Sequence, residues 1–445
     1  MRRFTWSDLS AGQRVTALAR PQQRRDPALV ERVRTIVDDV RSGGWSALCA
    51  HAVAIDGAAP RRVPVAAAAA AARAMLDSEQ LAALDLVLAN LRAFHAAQRP
   101  QEVAVETVPG LLVRKVWRPI DRVGLYVPGG ATPLFSSLLH LAIPAQAAGV
   151  AELVVVTPPL RSGDLSPMIA LAAELCGIEA VWTVGGAQAV AALASGAGDI
   201  PPVAKICGPG NAWVAEAKSY VASLPGGSAI DMPAGPSELM VVADGSADPA
   251  WVAADLLSQA EHDRDAQVLL VTTAPGLADA VRGELTEQIR SLPRRDFAEA
   301  ALAGGAAILV DSLDEACAVA NLYAPEHLAL AVDKPAPLVE RITNAGAVFA
   351  GHAAAETFGD YLAGSSHVLP TDGAARAWSG VSVHSFLRAV TVQEVGARAA
   401  GTLAAPAAAL ARLEGLEAHA RAAERRAGSK SGRVAANRMD EMAAS

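Results

Sequence analysis

From about residue 110 onward, short runs of β-branched apolar residues alternate with longer stretches rich in Ala and Leu. Residues 123–127, 153–156 and 181–184 read as strands, and residues 138–148 and 168–175 as the helices between them. The runs are apolar on successive residues, so they lack the in–out alternation of a half-buried strand and fit a sheet covered on both faces. Parallel neighbours also need a crossover long enough to hold a helix, which the Ala/Leu stretches supply. The rhythm therefore predicts an α/β fold built on parallel sheets. It starts again at residues 239–242 and continues through 268–272, 308–310 and 348–350. Two of these strands end alike, in VVVTPP and LLVTTAP, which hints at two related α/β domains.

The flanks read as helical. Asp26 followed by Pro27 supplies an N-cap with Pro at the first helical position, and Val30, Val33, Val37 and Val40 then fall on one face. Gly43 and Gly44 are expected to stop that helix. Leu81, Leu84, Leu88, Leu91 and Phe94 line a second helix that ends before Pro100. Past residue 380 strand signals fade; residues 402–427 read as a helical tail, and the polar GSKSGR after it is expected to be mobile. The expected organisation is a helical N-terminal segment (1–107), two Rossmann-like parallel-sheet domains (108–238 and 239–380) and a helical C-terminal tail (381–445).

With 445 residues, of which 52% are hydrophobic, the chain can bury several cores. Its net charge of -8 argues against nucleic acid as a main partner, because phosphate binding needs clustered cations. Cys49, Cys176, Cys207 and Cys317 form no C-x-x-C pair, so a disulfide framework, a zinc knuckle and a redox motif are all unexpected. The N-terminus turns polar too early for a signal peptide, and no apolar run is long enough to span a membrane. A cytoplasmic protein with no membrane partner is expected.

Candidate chemistry clusters in a few segments. No G-x-G-x-x-G follows a strand. The turns at Gly129-Gly130, Gly185-Gly186 and Gly208-Pro209-Gly210 are either simple tight turns or loops that let a dinucleotide approach the backbone. In SQAEHD, a helix starting at Asp248-Pro249 and running to His262 places Gln259 and His262 on one face. They are a solvated pair or two ligands of a divalent metal, although Gln is an uncommon one. In YAPEHL, Glu326 and His327 follow a proline, where a loop or helix start is expected. An adjacent carboxylate and imidazole suit two different proton transfers; the alternative is an ordinary surface loop. GDYLAGSSHVLP offers Asp360 as an anionic oxygen ligand, with His367 nearby, and LEGLEAHA places Glu414 and His419 in the tail around Gly415. His140, inside LLHLAIPA, reads as core, and His51, His95, His352 and His384 as structural or solvated.

Read in order, VGLYVPGG, TPLFSSLLHLAIPA, VGGAQAVAALA, GPGN, IDMPAGPSEL, LLSQAEHD, YAPEHL, GDYLAGSSHVLP and LEGLEAHA resemble the histidinol dehydrogenase family. The resemblance implies a zinc- and NAD-dependent enzyme that oxidises L-histidinol to L-histidine through a bound aldehyde. It implies one Zn2+ per subunit, held by Gln259, His262, Asp360 and His419, in a homodimer whose C-terminal tails are exchanged so that His419 comes from the other subunit. It makes Glu326 and His327 the catalytic pair. Ser237, Gln259, His262, His327, Asp360, Glu414 and His419 become substrate contacts, and Tyr126, Gln188 and Asn211 NAD contacts. The N-terminal region matches loosely, and Ser366 replaces a common Asn before His367. The nearest rival is a dehydrogenase of the same superfamily acting on another alcohol, such as a sulfonated diol. A more distant one is a zinc hydrolase that uses Glu326 without NAD.

Overall fold

The computed structural model describes residues 1–20, 26–129, 133–233 and 235–427; the GSKSGR stretch lies outside them. By its internal contacts the chain forms two units: Met1–Arg99 with Ile120–Phe386, and Pro100–Pro119 with the chain from Leu387 onward.

The first unit holds two six-stranded sheets. One runs, edge to edge, Arg62–Pro64, Ala180–Thr183, Glu152–Thr157, Arg122–Tyr126, Lys205–Cys207, Ala229–Ile230. The other runs Arg2–Thr5, Ala306–Leu309, Gln267–Thr272, Glu238–Ala243, His327–Ala331, Ala347–Ala350. Leaving aside the first strand of each list, both sheets have the order 3-2-1-4-5 in chain sequence, that of dinucleotide-binding folds. VVVTPP and LLVTTAP fall at the end of the second strand in each sheet, so the two sheets share that ending as well as their order. Every residue of Glu238–Ala243 and of Gln267–Thr272 is buried, which is why these strands read as unbroken apolar runs. Each such Val or Leu contributes about 1.5–3 kcal/mol over leaving it in water.

The edge strands come from the segment expected to be wholly helical. Arg2–Thr5 adds in parallel to Ala306–Leu309, and Arg62–Pro64 adds antiparallel to Ala180–Thr183. Between them, the Asp26 carboxylate caps the Pro27–Asp56 helix by accepting the Ala28 N–H at 2.9 Å. Val33, Val37 and Val40 are buried as their spacing requires. Gly44, at φ 57° and ψ −135°, kinks this helix without stopping it, and a second half carries Leu48 and Ala52 into the same core. The next long helix, Ser78–Ala96, starts with a capping box of Asp77 and Gln80. Leu84, Leu88 and Leu91 are buried on it, but Phe94 is exposed.

In the second unit, Leu387–Val395 pairs antiparallel with Leu111–Pro119, which pairs with Val103–Val108. A strand therefore lies past residue 380, where the sequence shows little strand signal; its side chains are mostly exposed, so it carries no buried apolar run. Helices Ala397–Leu413 and Glu417–Ala427 follow and pack together. Gly415, at φ 75°, turns the chain between them.

Candidate active site

A cleft of about 110 Å³ opens between the two sheets of the first unit. From the first sheet come segments beyond the carboxyl ends of strands: Ser136 and Ser137, Gly208 to Gly210, Asp231 and Met232. The second sheet contributes its amino ends. Ser237 precedes strand Glu238–Ala243, Glu326 precedes strand His327–Ala331, and Gln259 and His262 come from the chain leading into Gln267–Thr272. Helix Glu356–Tyr361 adds Asp360.

Glu326 and His327 are both buried, which removes the surface-loop reading of YAPEHL. His327 starts a strand rather than a helix, and it pairs in register with Leu239. The main chain of Glu238 holds both side chains. Its N–H donates to Glu326 Oε2 at 2.8 Å, and its carbonyl faces His327 Nδ1 at 3.1 Å. With the proton on Nδ1, Nε2 is left as the basic nitrogen; it lies 3.7 Å from Asp360 Oδ1. Burial lowers the His327 pKa to about 3, so the ring is neutral near pH 7. Burial also pushes the Glu326 carboxyl well above the usual range, with Glu238 and Asp360 adding repulsion.

Glu356, which sequence reasoning missed, is buried with one carboxylate oxygen 3.3 Å from His327 Nδ1. His327, Glu356 and Asp360 bring possible ligand atoms within 4.8 Å of one another. Burial raises the Glu356 carboxyl well above its usual range and Asp360 to about 6. Both Gln259 side-chain atoms, both Glu356 oxygens and His327 Nε2 are buried without a hydrogen-bond partner among the described residues. Orphaned polar atoms beside crowded carboxyls are costly, and a divalent cation relieves both penalties. The donor set of imidazole, carboxylate and carboxamide fits such an ion.

The helix before His262 ends at Ala260, earlier than expected, yet His262 N–H still donates to Gln259 O at 3.2 Å, one helical turn away. His262 keeps open surface at the cleft, although partial desolvation lowers its pKa. His367 Nδ1 donates to the Asp360 carbonyl at 2.8 Å, so its Nε2 accepts the Ser137 hydroxyl at 3.2 Å, and the ring stacks on buried His140 with centroids 4.1 Å apart.

The residues expected to contact a dinucleotide lie at the carboxyl ends of first-sheet strands. Tyr126 ends one strand, and its hydroxyl accepts the Gly186 N–H at 3.1 Å. Gln188 follows in the first turn of helix Gly186–Ser195; its Nε2 donates to Asp56, while its Oε1 is buried without a partner among the described residues. Asp56 also accepts the Gly185 N–H at 3.0 Å, a contact with no sequence signal. Asn211 caps helix Ala212–Ser223. Gly208, at φ 129°, brings its peptide so close to Tyr126 O that a Cβ there would collide with it. Glu414 and His419 belong to the second unit, where both are exposed.

Paired sheets in dinucleotide-fold order, with buried imidazoles and carboxyls gathered where they meet, define an α/β enzyme of the dinucleotide-fold type. The profile of the histidinol dehydrogenase family matches residues 18–427, and the chain belongs to this family of oxidoreductases in histidine biosynthesis. It is 46% identical over 429 residues to a histidinol dehydrogenase of Xanthomonas euvesicatoria pv. vesicatoria (strain 85-10), covering 96% of this chain and 99% of that one. A histidinol dehydrogenase of Xylella fastidiosa (strain Temecula1) is 44% identical over 430 residues, covering 96% and 100%. The crystal structure of histidinol dehydrogenase from Elizabethkingia anophelis superposes with a TM-score of 0.90 at 38% identity, covering 96% of this chain and 98% of that one.

Proposed function

We propose that this chain oxidises L-histidinol to L-histidine in the cytoplasm, in two successive two-electron steps through an aldehyde that stays bound. The observation that carries the reading is the Glu326–His327 couple held by the main chain of Glu238 beside orphaned Gln259 and Glu356. When bound, NAD would supply the hydride acceptor for each oxidation, and zinc would supply a Lewis acid that orients the substrate.

Gln259, His262 and Asp360 would hold the metal, with His419 from a second copy as the fourth ligand. Glu414 of that copy, with Ser237, would contact the substrate. His327 takes the hydroxyl proton on Nε2, which its Nδ1 contact leaves free. Glu326 takes a proton from the water that adds to the aldehyde carbon, its carboxylate aimed by the Glu238 N–H. Tyr126, Gln188 and Asn211 would line the dinucleotide, with the 208–210 turn behind it.

The test is NADH stoichiometry with zinc content measured on the same sample. Two NADH per L-histidinol, lost in His327→Ala and Glu326→Gln, are expected. One NADH, or preference for another alcohol such as a sulfonated diol, overturns the reading. Exchange of the tail is tested by mixing inactive His419→Ala and Gln259→Ala subunits, which should restore activity.

A further inference from the structure

We propose that Arg20 is a positioning residue for the Glu326–His327 pair, acting through Glu238 and through the chain that leads into Glu326. The inference rests on the proton-handling roles given to that pair above.

Arg20 precedes helix Pro27–Asp56 by several residues and is remote in sequence from everything it touches. Its guanidinium grips the Glu238 carboxylate with two bonds, Nε to Oε1 at 2.5 Å and Nη2 to Oε2 at 2.9 Å. The carboxylate side chain is 2% exposed and the guanidinium side chain 16%. Nη2 also donates to Tyr323 O at 2.8 Å and to Ala324 O at 3.4 Å, and the guanidinium lies 3.7 Å from the Tyr323 ring centroid. The Asp372 N–H adds a bond to Glu238 Oε1 at 2.9 Å.

These contacts meet at the two places that aim the catalytic side chains. Glu238 is the residue whose N–H and carbonyl hold Glu326 and His327. Tyr323 and Ala324 end helix Leu313–Tyr323, and Ala324 stands at φ 55°, a left-handed turn that a non-glycine residue adopts only when its surroundings impose it. A cation on these last carbonyls satisfies the helix terminus and fixes the turn two residues before Glu326. A single planar fork thus ties the start of one strand to the entry of its neighbour. Apolar residues of the same shape would stabilise a core as well as a buried ion pair does, so stability alone does not account for it. A fixed geometry does, because displacing a reacting group by about 1 Å costs roughly 100-fold in rate.

The experiment compares Arg20→Ala, Arg20→Lys and Glu238→Gln with the full-length enzyme, using L-histidinol and the aldehyde as separate substrates. Arg20→Ala should lower kcat about 10- to 100-fold on both, with KM for L-histidinol within about threefold and zinc content unchanged. Arg20→Lys keeps the charge but not the fork, and should still lose about tenfold. A folded Arg20→Ala protein with wild-type kcat overturns the proposal. So does a loss that follows zinc content or KM instead of kcat. If Arg20→Ala does not fold, wild-type kcat in Arg20→Lys or Glu238→Gln overturns it equally. His327→Ala and Glu326→Gln run alongside: if these keep full turnover, the reading of the pair fails; if they lose it while Arg20→Ala does not, only the present inference fails.

Discussion

Lys218→Met gives a quantitative test of how the 208–210 turn is held. Lys218 and Asp231 form an ion pair at 2.5 Å with both side chains 1% exposed. Between them they clamp one residue on both sides: Lys218 Nζ donates to Gly208 O at 2.8 Å, and Asp231 Oδ2 accepts the Gly208 N–H at 2.7 Å. Asp231 Oδ1 accepts the Met232 N–H at 2.8 Å. Methionine fills nearly the lysine volume, so the substitution removes the charge without opening a cavity. It leaves a buried carboxylate with two backbone donors and no counter-charge, a loss of about 3–5 kcal/mol. At about 2.1 cal/mol/K per residue, a 445-residue chain that melts as one has an unfolding entropy near 0.9 kcal/mol/K, so Tm falls by roughly 3–5 °C. Asp231→Asn alone strands the ammonium and should cost a similar amount. The double variant removes both charges, and its carboxamide oxygen still accepts a backbone N–H, so it should lose only about 1–3 kcal/mol. Thermal melts of the four proteins give the coupling, and KM for NAD should rise in each single variant. If the double variant loses the sum of the singles within about 0.5 kcal/mol, the pair is uncoupled and the reasoning is wrong.

Two further outcomes are expected. In zinc-stripped protein, burial holds the Asp360 carboxyl at about 6 against an ordinary 3.8, so between these values the folded chain keeps a proton the unfolded chain has lost. The resulting stability is fully present below pH 3.8 and lost as pH rises through 6, roughly 3 kcal/mol in all, so Asp360→Asn should gain on wild type between about pH 4 and pH 7; a pH-independent difference in Tm counts against this. At Gly346, a Cβ would stand 2.5 Å from Glu326 O, so Gly346→Ala must shift the catalytic loop and should lower kcat at least about tenfold; unchanged kinetics would show that the loop yields freely.

The central strands of both sheets were legible because burial on two faces leaves no reason for polar residues within them. The edge strands were not. Arg2–Thr5 and Arg62–Pro64 are short and partly exposed, and each depends on a neighbour far along the chain. Leu387–Val395 escaped for the same reason, its stability coming from the pairing with Leu111–Pro119 and not from its own apolarity. Gly44 was legible as a break but not as a kink, since only the packing of Leu48 and Ala52 shows that the helix resumes. At the site, Glu326, His327, Gln259, His262 and Asp360 stood out through motif resemblance, and the fold brings all five to one cleft. Glu356 sits in an alanine-rich helix start and Arg20 in a nondescript basic stretch. Nothing local distinguishes them, because what matters about each is a contact made in three dimensions.

The first strand has a bearing on how the chain acquires its shape during synthesis. Arg2–Thr5 hydrogen-bonds to Ala306–Leu309, and Trp6 just after it is buried among residues of that same sheet. On the ribosome these opening residues must wait for some three hundred others before their berth exists, with the loop-closure entropy that so long a span carries. A change at Arg2–Thr5 would therefore be felt in a sheet whose other strands are all translated after residue 237.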